Sequence, residues 1–261
     1  MSYTLNNMKL LKRISIVLFF SWITLSINAQ DVGEVEVERV YDRQSSYSLF
    51  VNTSGYGIGY QYGWTPTYRD KHLLEFELFY SNHEKAIKGR NTSFEGARAF
   101  SYGKLYDLFF WRTGYKYQRT THHKPYWGGV EIGYFLAAGA SIGIGLPTYL
   151  EIAYLSPNGY DLIYLVERYD PTVHDLSNIV GAAPFYERFH RLALRPGFYG
   201  KVGLSFDFSD EVDRLRSLEI GLSFDMLIPS IQQMAYNEPK KAYFEAFIAY
   251  SFGSKKLLYE K

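Results

Sequence analysis

Along residues 217–228 apolar and polar positions alternate one by one. Leu218, Ile220, Leu222, Phe224, Met226 and Ile228 stand against Ser217, Glu219, Gly221, Ser223 and Asp225. The same beat runs through 198–208, where Phe198, Val202, Leu204, Phe206 and Phe208 oppose Lys201, Gly203, Ser205 and Asp207. It recurs in 130–144, in 56–64, in 73–80 and in Phe244, Ala246, Ile248, Tyr250 and Phe252 near the C-terminus. A period of two is the signature of a β-strand with two unlike faces. The pattern predicts strands over 46–53, 56–65, 72–80, 105–118, 128–144, 149–156, 160–169, 196–208, 217–228 and 242–253. That makes ten. An eight-stranded alternative takes 149–156 and 160–169, joined by Pro157-Asn158-Gly159, as a hairpin outside the sheet.

Alternation fits both a soluble sandwich with a greasy interior and a membrane barrel with a greasy exterior. Three features favour the barrel. The non-apolar face is built of Gly, Ser and isolated charges, which suits a narrow lumen filled by side chains. Several segments exceed the roughly 5–6 residues of an ordinary strand and reach the 9–11 of a spanning one. Aromatics such as Trp64, Tyr80, Trp127, Tyr250 and Phe252 fall near segment ends, as interfacial girdles do. The lumen face then holds Glu75, Glu77, Arg112, Lys116, Glu131, Lys201, Asp207, Glu219, Asp225 and Glu245. The expected fold is an all-β, transmembrane, antiparallel up-and-down barrel. An even strand number leaves both termini on the periplasmic side, and the longest connections (81–104, 170–195, 229–241) then share the external side. In hydrocarbon every backbone donor and acceptor must pair, so 242–253 is expected to close on 46–53.

The start of the chain follows another pattern. Lys9, Lys12 and Arg13 precede the apolar run 14–23, and Ser26-Ile27-Asn28-Ala29-Gln30 ends it. This is the layout of a secretory signal, cut after Ala29. The expected organisation is a signal peptide over 1–29, a periplasmic arm over 30–45, the barrel over 46–253 and a periplasmic tail over 254–261.

Composition narrows the chemistry. There are 28 Lys+Arg against 27 Asp+Glu, so charge gives no case for nucleic acid. The 25 Tyr, 19 Phe and 22 Gly suit close-packed β-structure. With no Cys, disulfides, thiolate metal sites and a cysteine nucleophile are excluded.

The signal ending Ser26–Gln30, the alternating body, and the aromatic final strand ending Tyr250-Ser251-Phe252-Gly253 together resemble the outer-membrane β-barrel proteins of Bacteroidota. The resemblance is one of architecture and carries no subfamily motif. It implies residence in the cell outer membrane. The partners it implies are outer-membrane lipid and lipopolysaccharide, together with other outer-membrane or periplasmic proteins.

Candidate catalytic residues cluster in one external connection. His174, Asp175 and Ser177 lie together, with His190 further on. A His can act as base toward a Ser nucleophile. Neighbouring His and Asp, however, do not readily pair side chain to side chain, so a solvated loop is the plainer account. His122-His123 has no third ligand nearby, and no metal or cofactor site is read from the chain. The expected function is a non-enzymatic outer-membrane barrel, serving as an accessory subunit of an envelope assembly or as a surface-binding protein. A rim-located lipid or peptide hydrolase or acyltransferase is one alternative and a small diffusion channel another.

Overall fold

The structure, a computed structural model, describes residues 41–67, 69–94, 96–124, 129–158, 160–209 and 213–257. Side chains 41, 42, 190 and 257 are not among those described. The expected signal 1–29, arm residues 30–40, Trp127 and tail residues 258–261 lie outside the described residues.

In chain order the strands are β1 (Tyr41–Asn52), β2 (Gly55–Trp64), β3 (Asp70–Ser81), β4 (Lys88–Gly89), β5 (Phe100–Ser101), β6 (Tyr106–His122) and β7 (Glu131–Pro147). There follow β8 (Tyr149–Leu155), β9 (Leu162–Arg168), β10 (Ile179–Ala182), a 3-10 helix (Phe185–Arg191), β11 (Ala193–Asp207), β12 (Arg214–Ile231) and β13 (Lys240–Leu257). Eight of them close into a barrel in the order β1-β13-β12-β11-β7-β6-β3-β2, and each neighbouring pair is antiparallel. The last strand seals on the first, with Tyr47 opposite Phe252 and Asn52 opposite Phe247.

Ten wall strands is therefore corrected to eight. Segments 149–156 and 160–169 fold as β8 and β9, a hairpin that joins β10 in a separate three-stranded sheet. Each is seven residues long, short of what a bilayer requires. The barrel also extends past 46–253. At its seam Gln44 faces Lys255 and Ser45 Oγ lies 3.3 Å from Ser254 Oγ. Arg43, Gln44, Ser45, Ser254, Lys255 and Lys256 are polar on both faces, so alternation does not mark them.

The wall is inside out relative to a soluble protein. Leu222 is 61% exposed and Val51 64%, while Arg112 is 1% and Glu219 3%. Leu49, Ile58, Leu78, Trp111, Leu136, Phe198, Leu204 and Ile248 share the outward face. Each such side chain left in water forgoes about 1.5–3 kcal/mol of burial. Hydrocarbon removes that cost, and a closed ladder leaves no backbone group unpaired along the wall. The barrel spans the outer membrane. No helix among the described residues is long and apolar enough to cross a membrane.

Small and large residues alternate around the lumen. A Cβ on Gly57 would sit 2.6 Å from Phe50 Cζ, and one on Gly203 would sit 2.7 Å from Phe135 Cζ. These glycines make room for the rings that fill the interior.

Candidate functional site

The lumen is built in layers. Toward the end where β1 starts and β13 finishes, Lys71 Nζ bonds Glu131 Oε1 at 2.7 Å, and Lys255 Nζ bonds Asp207 Oδ2 at 2.7 Å. Lys116 Nζ donates to Glu219 Oε1 at 2.5 Å. At mid-height Lys201 bridges Glu75, at 3.0 Å, and Glu77, at 2.6 Å. Arg112 donates through Nε to Asp225 Oδ1 at 2.9 Å, through a second nitrogen to Asp225 Oδ2, and to Glu77 at 3.2 Å. Its guanidinium carbon lies 4.1 Å from the centre of the Phe79 ring. All ten charges expected on the lumen face take part in this lattice. Phe50, Phe79, Leu108, Phe110, Leu227, Ile231 and Tyr243 pack together toward the opposite mouth. That explains the irregular face of β6, where Leu108 and Phe110 share a side with Arg112 and Lys116: the first two belong to the apolar plug and the others to the ions beneath it. Side chains fill the bore.

The end opposite the chain termini carries a folded superstructure. Thr148 N donates to Leu105 O at 2.9 Å, Leu105 N to Gln233 O at 2.8 Å, and Ala235 N to Gly103 O at 2.8 Å. Connections 82–105, 148–192 and 232–239 are thereby tied to one another. Phe100, Leu150, Ile152, Tyr169 and Ile179 form a second apolar core beneath the three-stranded sheet. The β10 edge of that sheet is covered. Asn91 Nδ2 donates to Ile179 O at 2.8 Å, and a Cβ on Gly181 would meet the Arg98 backbone at 2.6 Å. The β9 edge pairs on one side only, with β8. Leu162, Ile163, Tyr164, Leu165 and Val166 are all exposed there.

His174 is buried in this superstructure, yet its partners are not those its sequence neighbours suggest. Its Nδ1 accepts from the Asp170 N–H at 3.1 Å, and its Nε2 lies 3.1 Å from Glu167 Oε2. The first bond leaves the proton on Nε2, which donates to the carboxylate. Tyr154 Oη donates to the same carboxylate at 2.9 Å, and this bond raises the phenol pKa. Asp170 caps the turn by accepting from the Thr172 hydroxyl and backbone N–H, which together hold its carboxyl below the usual range. Asp175 and Ser177 are exposed. The side chain of His190 lies outside the described residues. Both ring nitrogens of His174 are engaged in holding loop to strand, so the geometry is that of a structural clamp. Glu167 and Tyr154 were not singled out in the sequence, because they sit on β9 and β8, outside the connection that carries His174, and share no motif with it. His123 Nδ1 lies 3.7 Å from Glu131, and among the described residues no cluster of His, Asp and Glu has the make-up of a metal site.

The sequence matches no protein-family model and no curated protein. Among solved structures, the chain is similar to Ail, the attachment invasion locus protein of Yersinia pestis, in complex with the heparin analogue sucrose octasulfate. Identity is 8%, covering 83% of this chain and 99% of that one, with a TM-score of 0.38. It is also similar to Neisserial surface protein A (NspA), at 9% identity over 82% of this chain and 96% of that one, with a TM-score of 0.36. Likeness at this level carries no argument about ligands or partners. The eight-stranded barrel stands on the strand pairing itself.

Proposed function

We propose that this chain is a non-enzymatic outer-membrane barrel that binds another envelope or surface protein through its external sheet. The exposed β9 edge carries that proposal. Five consecutive apolar residues, Leu162–Val166, stand on a strand with one free ladder edge, held in place by a packed core. Such an edge is a template for strand addition by an extended apolar segment of a partner. The export signal over 1–29 and periplasmic ends at 30–40 and 258–261 belong to the same proposal, as does a Bacteroidota origin.

The filled lumen weighs against a diffusion channel, and the engaged nitrogens of His174 weigh against a rim hydrolase. The test is photo-crosslinking in intact cells from a reactive group placed at Tyr164. A discrete adduct is expected from the native edge and is lost when Val166→Pro removes one donor from the free edge, since the Val166 N–H points away from β8. An adduct that persists unchanged in the Pro variant, or none from either protein, refutes strand addition.

A further inference from the structure

Tyr56, Tyr80 and Phe109 are cross-strand neighbours on the outward face of β2, β3 and β6, at the external ends of those strands. Their ring centroids are 6.1 and 5.1 Å apart in sequence. Aromatics in this position sit at the headgroup level of the outer leaflet. The same three rings form one wall of a cleft of ≈ 350 Å³ between the barrel rim and the external superstructure. Its other lining includes Lys88, Lys104, Asp107, Thr148 and Arg188. Three cations thus face one carboxylate. Asp107 is already engaged: Lys104 Nζ lies 2.5 Å from Oδ1, Tyr80 Oη donates to the same oxygen at 3.0 Å, and Arg188 donates to Oδ2 at 2.5 Å. Lys104 also donates to Asn82 Oδ1 at 3.0 Å.

Two residues that line the cleft each carry a polar atom that is left over. Thr148 is 4% exposed, and its Oγ1 is buried without a hydrogen-bond partner among the described residues. Arg188 Nε is in the same position. A buried donor without a partner costs about 1–3 kcal/mol, so a site that keeps two of them beside excess positive charge is made to meet an anion. A guanidinium nitrogen, an ammonium and a hydroxyl are the donors a phosphate takes.

We infer that this cleft binds the phosphorylated headgroup of an outer-leaflet glycolipid, with Arg188, Lys88 and Thr148 on the phosphate and Tyr56, Tyr80 and Phe109 against the first carbons of its acyl chains. The cleft opens beside the aromatic row, so a lipid reaches it without leaving the membrane. This site is separate from the β9 edge and does not depend on it.

The full barrel in detergent micelles is titrated with diphosphorylated lipid A and read by native mass spectrometry. One lipid should remain bound per barrel. Affinity should fall about tenfold or more with Arg188→Gln and with Thr148→Val, and severalfold with Lys88→Gln, as expected for lost charge-assisted bonds. Lys88 is exposed, so its variant keeps the fold, and gel mobility of the unheated barrel checks the other two. Dephosphorylated lipid A should bind far more weakly. Equal binding of the dephosphorylated lipid would overturn the assignment, because the acyl chains alone would then be recognised. Displacement of the lipid by inorganic phosphate at matched concentration would overturn it too, since the rings would then contribute nothing. Variants that bind like the native protein also overturn it.

Discussion

Replacing Arg112 by Met tests the lumen lattice most directly. Met keeps most of the side-chain length and removes the charge. In the native barrel four carboxylates at mid-height, Glu75, Glu77, Asp225 and Glu245, face two cations, Arg112 and Lys201. After the change one cation faces all four. Asp225, which has no exposure, loses both of its bonds to the guanidinium, and Phe79 loses the cation stacked on it. Removing one partner from a buried ion pair costs about 3–5 kcal/mol, because the other charge is stranded. Against a total stability of about 5–15 kcal/mol that is a fifth or more. The double variant Arg112→Met, Asp225→Leu removes the stranded charge with its partner, so it should recover about 2 kcal/mol or more of the loss. The assay is equilibrium urea unfolding in lipid vesicles, followed by emission of Trp111, which stands on the lipid face. If Arg112→Met unfolds within about 1 kcal/mol of the native protein, or the double variant is no better than the single, the lattice does not hold the barrel as described.

Four further outcomes follow from the same geometry. Leu222→Arg, on the lipid face, should cost about 2–4 kcal/mol in vesicles, and a cost near zero would mean Leu222 does not face hydrocarbon. Gly203→Val should cost about 1–3 kcal/mol through overpacking against Phe135, read by the same unfolding assay; no change would mean the lumen there is loosely filled. Planar bilayers containing the protein should stay electrically silent, and stepwise conductance would contradict a filled bore. Asp170 has a lowered pKa in the fold, so its contribution to the 170–174 turn is present above the unfolded pKa and is lost as pH falls through the lower folded value. Amide exchange at Thr172 should therefore quicken relative to neighbouring loops only under acid conditions below the usual carboxylate range, and Asp170→Asn should abolish that step.

The wall was legible in the sequence because membrane barrels obey one rule at every residue: Lys201 in, Val202 out, Gly203 in, Leu204 out. The same rule named the ten lumen charges and the pairing of first strand with last. It misled at β8 because Leu150, Ile152 and Tyr154 alternate as well, burying one face against an apolar core instead of a bilayer. The stretch Leu162–Val166 carried the correction, being apolar at every position where a wall strand alternates, and seven residues is too short to cross. The rim cleft was not legible. Its residues come from positions 56, 80, 88, 104, 148 and 188, brought together only by barrel closure and by the folding of connections that have no periodicity. His174 drew notice from its neighbours Asp175 and Ser177, whereas its actual partner lies on β9.

The pairing of Tyr47 with Phe252 also sets a timetable for biogenesis. The ribosome releases the first staple of the cylinder some two hundred residues before the strand it must zip to. Any shorter length of the chain, folded in the same register, would be an open ribbon with two raw margins. Until β13 is in place β1 keeps an unpaired margin, and any truncation that removes β13 leaves a molecule with no route to a watertight hoop.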